Sequence, residues 1–181
     1  MSTTLNKKAR AEAKKQPAAQ PPRDEAGAAY AAGLGLTEQN RLPEAMAAFA
    51  RAAELSPDSV DARIGLGVTL RKMNRFKEAV AAYESALAIS PRVPAVWSNL
   101  GNALKDMEEI GQAIAAHQRA VSMDPGNGRF RHNYGIALAH AGKHAEAVAQ
   151  FDEALKTLPG DTEVLWDRAR SILAQGDYRN G

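Results

Sequence analysis

Apolar and polar residues recur along the chain with the period of an amphipathic α-helix, in segments that come in pairs. In one pair, the first segment places apolar residues at helical spacing from Ile64 to Leu70, and the second does so from Phe76 to Ile89. Asn74 lies between them, and asparagine tolerates the left-handed backbone that often ends a helix. The pattern therefore predicts two antiparallel helices joined by a tight turn.

The predicted helix pair recurs every 34 residues. Small residues and prolines mark this interval in four series: Gly33, Gly67, Gly101 and Gly135; Ala45, Ala79, Ala113 and Ala147; Ala52, Ala86, Ala120 and Ala154; Pro57, Pro91, Pro125 and Pro159. Small residues let two helices approach closely, and proline stops each second helix before the next pair begins. A fixed period of this length is the signature of stacked repeats, which bury together the apolar faces that one pair cannot bury alone.

The period divides the chain into a lead-in and successive units. We predict a flexible, basic, alanine- and proline-rich tail at 1–25, complete units at 26–59, 60–93, 94–127 and 128–161, and a partial fifth unit or capping helix at 162–181. The last segment stops where its second helix should begin. We therefore expect the natural chain to continue past Gly181 rather than to end in a cap.

Equivalent residues are expected to form the turn inside each unit and to fill the space between units. The turn residues are Asn or Gly with one exception: Asn40, Asn74, Glu108, Gly142 and Gly176. We expect Gly111, close to the exceptional Glu108, to absorb part of the strain there. The larger side chains predicted to fill the space between units are Phe49, Tyr83, His117 and Phe151.

Composition and charge fit helices and disfavour several classes of partner. The chain is 45% hydrophobic but only 6% aromatic, it lacks cysteine, and no apolar run is long enough to span a membrane. Residues 1–23 carry a net charge of +5, whereas the whole chain carries +2. The rest of the chain is therefore slightly acidic. The pI of 8.9 thus reflects the tail, which argues against a nucleic-acid-binding body. With no secretory signal pattern, we expect a cytoplasmic protein.

No group of residues has the arrangement of a catalytic or cofactor site. His140 and His144 have the spacing of metal ligands on one helix, but Ala141-Gly142 places the predicted turn between them. Gly33-Leu34-Gly35 lies inside a predicted helix, where a dinucleotide-binding loop is not expected. Shielded carboxylate pairs and nucleophile–base pairs are also missing from the pattern. We predict a protein that is not an enzyme and uses neither metal nor cofactor.

The spacing of small residues and prolines resembles the tetratricopeptide repeat, a family of helical hairpins stacked into a right-handed superhelical solenoid. The family's characteristic tryptophan occurs only at Trp97, while Ala29, Arg63 and Arg131 replace it in other units and His117 takes an aromatic place. These departures are expected to loosen local packing without changing the all-α fold. The resemblance implies a non-catalytic scaffold for protein–protein interaction.

In this family the first helix of each unit lines a groove that binds a partner segment, and the resemblance assigns this role by repeat position. The candidate groove residues are Arg71, Ser98, Asn99, Asn102, Lys105, Arg129, His132, Asn133, Ile136, Asp167 and Arg170. Asn99 and Asn133 hold the same place in adjacent units, and an asparagine amide both donates to and accepts from a peptide backbone. We expect a protein or peptide ligand in this groove and no small-molecule substrate.

Two specialised versions of the fold can be compared with these residues. The carboxylate clamp for chaperone tails fits at Asn102 and Asn133, but Glu163 and Asp167 would repel a terminal carboxylate, so we exclude it. The stretch SNLGNALKDM is similar to repeats of O-linked N-acetylglucosamine transferases and bacterial relatives. This similarity leaves open a substrate-recruiting arm of a larger glycosyltransferase, whose catalytic domain is absent here.

A third alternative is self-assembly. The predicted open end of the stack, near Trp166 and Tyr178, exposes apolar surface that a second copy of the chain would cover. This alternative predicts a homo-oligomer joined through the C-terminal end.

Overall fold

The computed structural model describes residues 23–176, and within that range every regular element is an α-helix. The helices are α1 (Arg23–Glu38), α2 (Leu42–Leu55), α3 (Val60–Lys72), α4 (Phe76–Ile89), α5 (Pro94–Asp106), α6 (Ile110–Met123), α7 (Gly128–His140), α8 (His144–Leu155) and α9 (Thr162–Ala174). The first helix begins three residues before Ala26, where the first unit was predicted to start. The predicted flexible tail lies, up to residue 22, outside the described residues.

The helices form two layers. Each helix packs against the next one in the chain, and the first helices of successive units also contact one another. The second helices of successive units make no such contact within residues 23–176. Because the first helices lie closer together, the stack curves toward them, and α1, α3, α5, α7 and α9 form the inner face. The predicted all-α solenoid of antiparallel hairpins is confirmed.

The turn inside each unit uses a left-handed residue at the predicted position every time. The residues with positive φ at these turns are Asn40, Asn74, Glu108, Gly142 and Gly176. The expectation that Gly111 absorbs the strain at the glutamate is wrong. Glu108 itself adopts a φ of 65°, whereas Gly111 lies within α6 and is not among the positive-φ residues. The helices on either side fix the length of the turn, so the residue at the turn position, here Glu108, must itself adopt the left-handed conformation.

Close contact between glycines and rings sets the distance between helices. A Cβ atom on Gly33 or Gly65 would come within 2.5–2.9 Å of the Phe49 ring, so this ring lies against glycines of two different units. Gly101 stands in the same relation to His117, with distances of 2.7–2.8 Å. Distances this short between a Cβ atom and a ring do not occur in proteins, so these positions must be glycine. This explains why the glycines of the first helices and the rings of the second helices both recur every 34 residues.

Arginine takes over the bond made by tryptophan on the first helix of a unit. Trp97 Nε1 donates to the carbonyl of Pro91 at 2.9 Å, and Arg131 Nε donates to the equivalent carbonyl of Pro125 at 2.8 Å. Arg63 instead donates to the carbonyl of Ser59 at 3.0 Å. Each of these side chains therefore ties its helix to the loop that precedes it.

Candidate peptide-binding groove

All the candidate groove residues lie on helices of the inner face. Arg71 is on α3, Ser98 to Lys105 are on α5, Arg129 to Ile136 are on α7, and Asp167 and Arg170 are on α9. We call this surface the inner groove. The structure places the candidates on neighbouring inner helices, with Ser98 buried, and it gives them two different situations. Some are bonded to a neighbouring unit, and others are not.

Side-chain bonds between adjacent inner helices follow one rule: their partners are 35 residues apart. We call these inter-unit bonds. They are Arg71 Nε to Asp106 Oδ2 at 2.6 Å, Asn133 Nδ2 to Ser98 Oγ at 3.1 Å, and His132 Nε2 with Asp167 Oδ2 at 2.9 Å. Because the spacing is one more than the period of 34, each bond joins a residue to the one that follows its equivalent position on the next inner helix. The bonds fasten neighbouring inner helices to each other and occupy several candidates.

The carboxylate of Asp106 holds two cations of the groove. Burial alone would raise the pKa of Asp106, but hydrogen bonds from Lys105 and Arg71 outweigh burial and lower it. The Lys105 Nζ atom lies 2.8 Å from Asp106 Oδ1. Asp106 therefore stays ionised at neutral pH, and it neutralises one of the two positive charges beside it.

His132 belongs to the wall of the groove more than to its free surface. Its side chain is almost buried and packs edge-to-face on Phe151, with ring centroids 5.7 Å apart. Its ring is bonded to Asp167, which also accepts a longer bond from Arg170 at 3.3 Å. Among the described residues, this arrangement leaves most of the donor capacity of Arg170 unused.

Asn99 and Asn102 carry the free amides of the inner groove. Both are half-buried, and neither has a hydrogen-bond partner among residues 23–176. The rule of 35 explains why Asn99 differs from Asn133. The residue 35 positions before Asn133 is Ser98, which accepts a bond, whereas the residue 35 positions before Asn99 is Ile64, which has no acceptor. The two asparagines hold equivalent places in the repeat, but only Asn133 is bonded to another residue of the described range.

Apolar side chains flank these amides. Leu34, Val68 and Ile136 occupy the same place in their units as Asn102, and Leu34 is 45% exposed. Leu34 is not among the predicted groove residues, although stepping back by the period from Ile136 would have found it. Arg129, at the start of α7, is exposed and has no ion pair in the described range. The inner groove thus offers free amides between apolar patches.

The two histidines with metal-ligand spacing are separated by the turn, as predicted. His140 ends α7 and His144 begins α8, on either side of Gly142. Between Arg23 and Gly176, the structure shows no cluster of three or more potential metal ligands. In the same range no helix has the length and apolar character needed to cross a membrane.

Fold and groove together define a class of protein, the helical-repeat scaffold. A family model described as "Tetratricopeptide repeat" matches residues 36–102, and a second model with the same description matches 98–162 and 141–180. The chain therefore belongs to the tetratricopeptide-repeat family, and the resemblance predicted from the sequence is confirmed. No curated protein matches the chain.

Solved structures share this fold. A structure of pilF from Pseudomonas aeruginosa is 26% identical with a TM-score of 0.77, covering 87% of this chain and 72% of its own. A MamA structure is 17% identical with a TM-score of 0.75 and 84% coverage of both chains. YrrB, described as a TPR protein with an unusual peptide-binding site, is 24% identical with a TM-score of 0.70, covering 96% of this chain and 84% of its own.

Proposed function

We propose that this protein is a non-catalytic scaffold that binds a segment of a partner protein in the inner groove, at Asn99 and Asn102. The observation that carries the proposal is that these two amides have no partner in the described range while the amide of Asn133 is bonded within the protein. Family membership supports a protein-interaction role, and the peptide-binding site ascribed to YrrB supports a peptide ligand.

The chemistry of the groove favours an extended or helical segment that presents polar groups to α5. An asparagine amide donates and accepts, so Asn99 and Asn102 can pair with backbone or side-chain groups of a segment. Ile64 and Val68 on the neighbouring α3 provide apolar contact beside them. The inter-unit bonds hold the inner helices in place before the ligand arrives, which reduces the entropy lost on binding.

The test starts with an array of random 15-residue peptides probed with the full chain. For the tightest binder, Asn99→Ala and Asn102→Ala should each weaken binding by about two- to tenfold, because each loses one net hydrogen bond of roughly 0.5–1.5 kcal/mol. Fluorescence anisotropy of the labelled peptide measures the affinity. Gln118→Ala, an exposed change on α6 of the outer layer, is the matched control and should bind like the wild type.

The variant Asn133→Ala distinguishes an asparagine that contacts the ligand from one that only bonds two inner helices together. Since its amide is bonded to Ser98, this variant should change the affinity less than Asn99→Ala does. If all four variants bind the peptide equally well, the placement of the ligand on α5 is wrong.

Self-assembly is a second candidate, favoured by the apolar surface of α9. Leu165, Trp166 and Leu173 are 45%, 68% and 50% exposed, three of the large apolar side chains that stand out on the described surface. A second copy packed on this face would bury them. Sedimentation velocity over a range of concentrations should then show a dimer that Trp166→Ala weakens. A single monomer boundary at every concentration would contradict this candidate.

A further inference from the structure

The inter-unit bond between Arg71 and Asp106 has no counterpart between α7 and α9. Arg71 of α3 and Asp106 of α5 form such a bond near the turn end of the inner groove. The equivalent residues of α7 and α9 are Ala139 and Ala174, also 35 apart, and their methyl groups cannot bridge the two helices. A cleft of about 420 Å³ opens at this place between α7, α8 and α9, which we call the α7–α9 cleft.

The cleft has an apolar base. Ile136 of α7, Phe151 of α8 and Leu173 of α9 all line it, together with the two alanines. Phe151 is fully buried, whereas Leu173 remains half exposed because nothing in the described range covers it. The volume falls within the range of about 300–1,000 Å³ that is typical of ligand pockets. The rest of the lining is polar, so the cleft combines an apolar base with polar sides.

The polar groups around the cleft have donor capacity that residues 23–176 do not use. Asp167, whose charge argues against a chaperone-tail clamp, also lines the cleft, but its oxygens are bonded to His132 at 2.9 Å and to Arg170 at 3.3 Å, and the cleft differs from that clamp in offering Arg170 as the receiving group. Arg170 makes one bond, of 3.3 Å, and its side chain is 67% exposed. A guanidinium has five N–H donors, so Arg170 can bind a second carboxylate. His140 and His144 line the same side, and the Nδ1 atom of His144 is buried without a partner in the described range.

We propose that the α7–α9 cleft receives a bulky apolar side chain, such as leucine or phenylalanine, from the bound partner segment, with a neighbouring carboxylate of that segment on Arg170. The apolar base matches the side chain, and the unused donors of Arg170 match the negative charge. This assignment rests on the proposed function, since Ile136, Asp167 and Arg170 belong to both the cleft and the inner groove.

A small probe that carries both features tests the cleft separately from the amides of α5. N-acetyl-leucine has an apolar side chain next to one carboxylate. Added to the ¹⁵N-labelled full chain, it should shift the amide signals of Ala139, His140 and Leu173 with a dissociation constant on the order of 1 mM. N-acetyl-alanine should bind about tenfold more weakly or worse, because it buries less apolar surface. N-acetyl-leucinamide, without the charge, should bind more weakly than N-acetyl-leucine.

The chain itself supplies the matched variant. The double substitution Ala139→Arg with Ala174→Asp copies the pair found at Arg71 and Asp106, and it should close the cleft. We expect the shifts caused by N-acetyl-leucine to disappear, while circular dichroism and the signals of α1 to α4 stay those of the folded wild type. Arg170→Ala is the second variant. It should lower the affinity for N-acetyl-leucine to that for N-acetyl-leucinamide.

Several outcomes would overturn this assignment. They are an absence of shifts near the cleft, unchanged binding by the double variant, or binding that appears only after Tyr178→Ala, a change outside the described residues, which would show that the chain fills the cleft itself. Shifts that depend on protein concentration without any probe would assign the cleft to a second copy. Each result is independent of the effect of Asn99→Ala on peptide binding, so the cleft and the proposed function can fail separately.

Discussion

At the scale of single residues, His117 replaces the phenylalanine or tyrosine that fills the centre of the other units. It is fully buried against Gly101, and neither ring nitrogen has a hydrogen-bond partner in the described range. Burial, with a smaller contribution from the charge of Lys105, lowers the pKa of His117 to about 4. In the unfolded chain the pKa is near its ordinary value of about 6.5. The unfolded state therefore binds the proton more readily between these values.

This difference predicts acid sensitivity that one substitution removes. As the pH falls from about 6.5 toward 4, wild-type stability should decrease by on the order of 2–3 kcal/mol through His117. His117→Phe places a ring like that of Phe49 against the glycine, and it should lose this part of the pH dependence. Urea unfolding at pH 7 and pH 4.5 measures both proteins. Equal losses in the two proteins would show that His117 is not responsible.

The sequence predicted that His117 takes an aromatic place in the packed interior, and the side chain is indeed fully buried, against Gly101 of its own unit. The sequence could not show that the ring has no partner. The atoms around the ring come from several helices, and their hydrogen-bonding groups are known only once those helices are packed.

At the scale of helices and turns, Glu108 bears a conformational cost that asparagine lowers and glycine removes at the equivalent turns of the other units. A non-glycine residue in the left-handed region is disfavoured by roughly 1 kcal/mol, and Glu108 has a φ of 65°. Glu108→Gly should therefore raise the free energy of unfolding by about 0.5–1 kcal/mol. Urea denaturation at pH 7 measures the change. Gly142→Ala, at the equivalent turn with a φ of 75°, should destabilise the protein, and a gain there would contradict the explanation.

Helix positions followed closely from the sequence because three signals agree in each unit. Apolar spacing sets the faces, an Asn or Gly marks the inner turn, and a proline marks the outer one. The start of α1 was less predictable. The residues from Arg23 to Tyr30 are mostly helix-forming alanines and charged residues, so the helix starts ahead of the point where the repeat pattern begins.

At the scale of the whole molecule, the period of 34 predicts the stack, but contacts with a spacing of 35 decide which groove side chains are bonded to a neighbouring unit. The period identified the inner helices and, with the family resemblance, their groove-facing residues. It could not separate occupied from free groups, because that depends on which residue stands one place further along on the neighbouring helix. Ser98 before Asn133 makes a bond, and Ile64 before Asn99 does not. The spacing alone does not decide the matter, because the residue 35 positions after Asn99 is Tyr134, which carries a hydroxyl group but makes no bond to Asn99.

The central claim is that a partner segment lies on the inner helices and contacts α5. The most direct measurement is cross-saturation NMR on the full chain bound to the tightest array peptide, which identifies the amides nearest the ligand. We predict the strongest effect along α5 around Asn99 and Asn102, with a weaker effect on α3 and α7 and none on α4 or α6. A strong effect on the outer helices, with none on α5, would contradict the account.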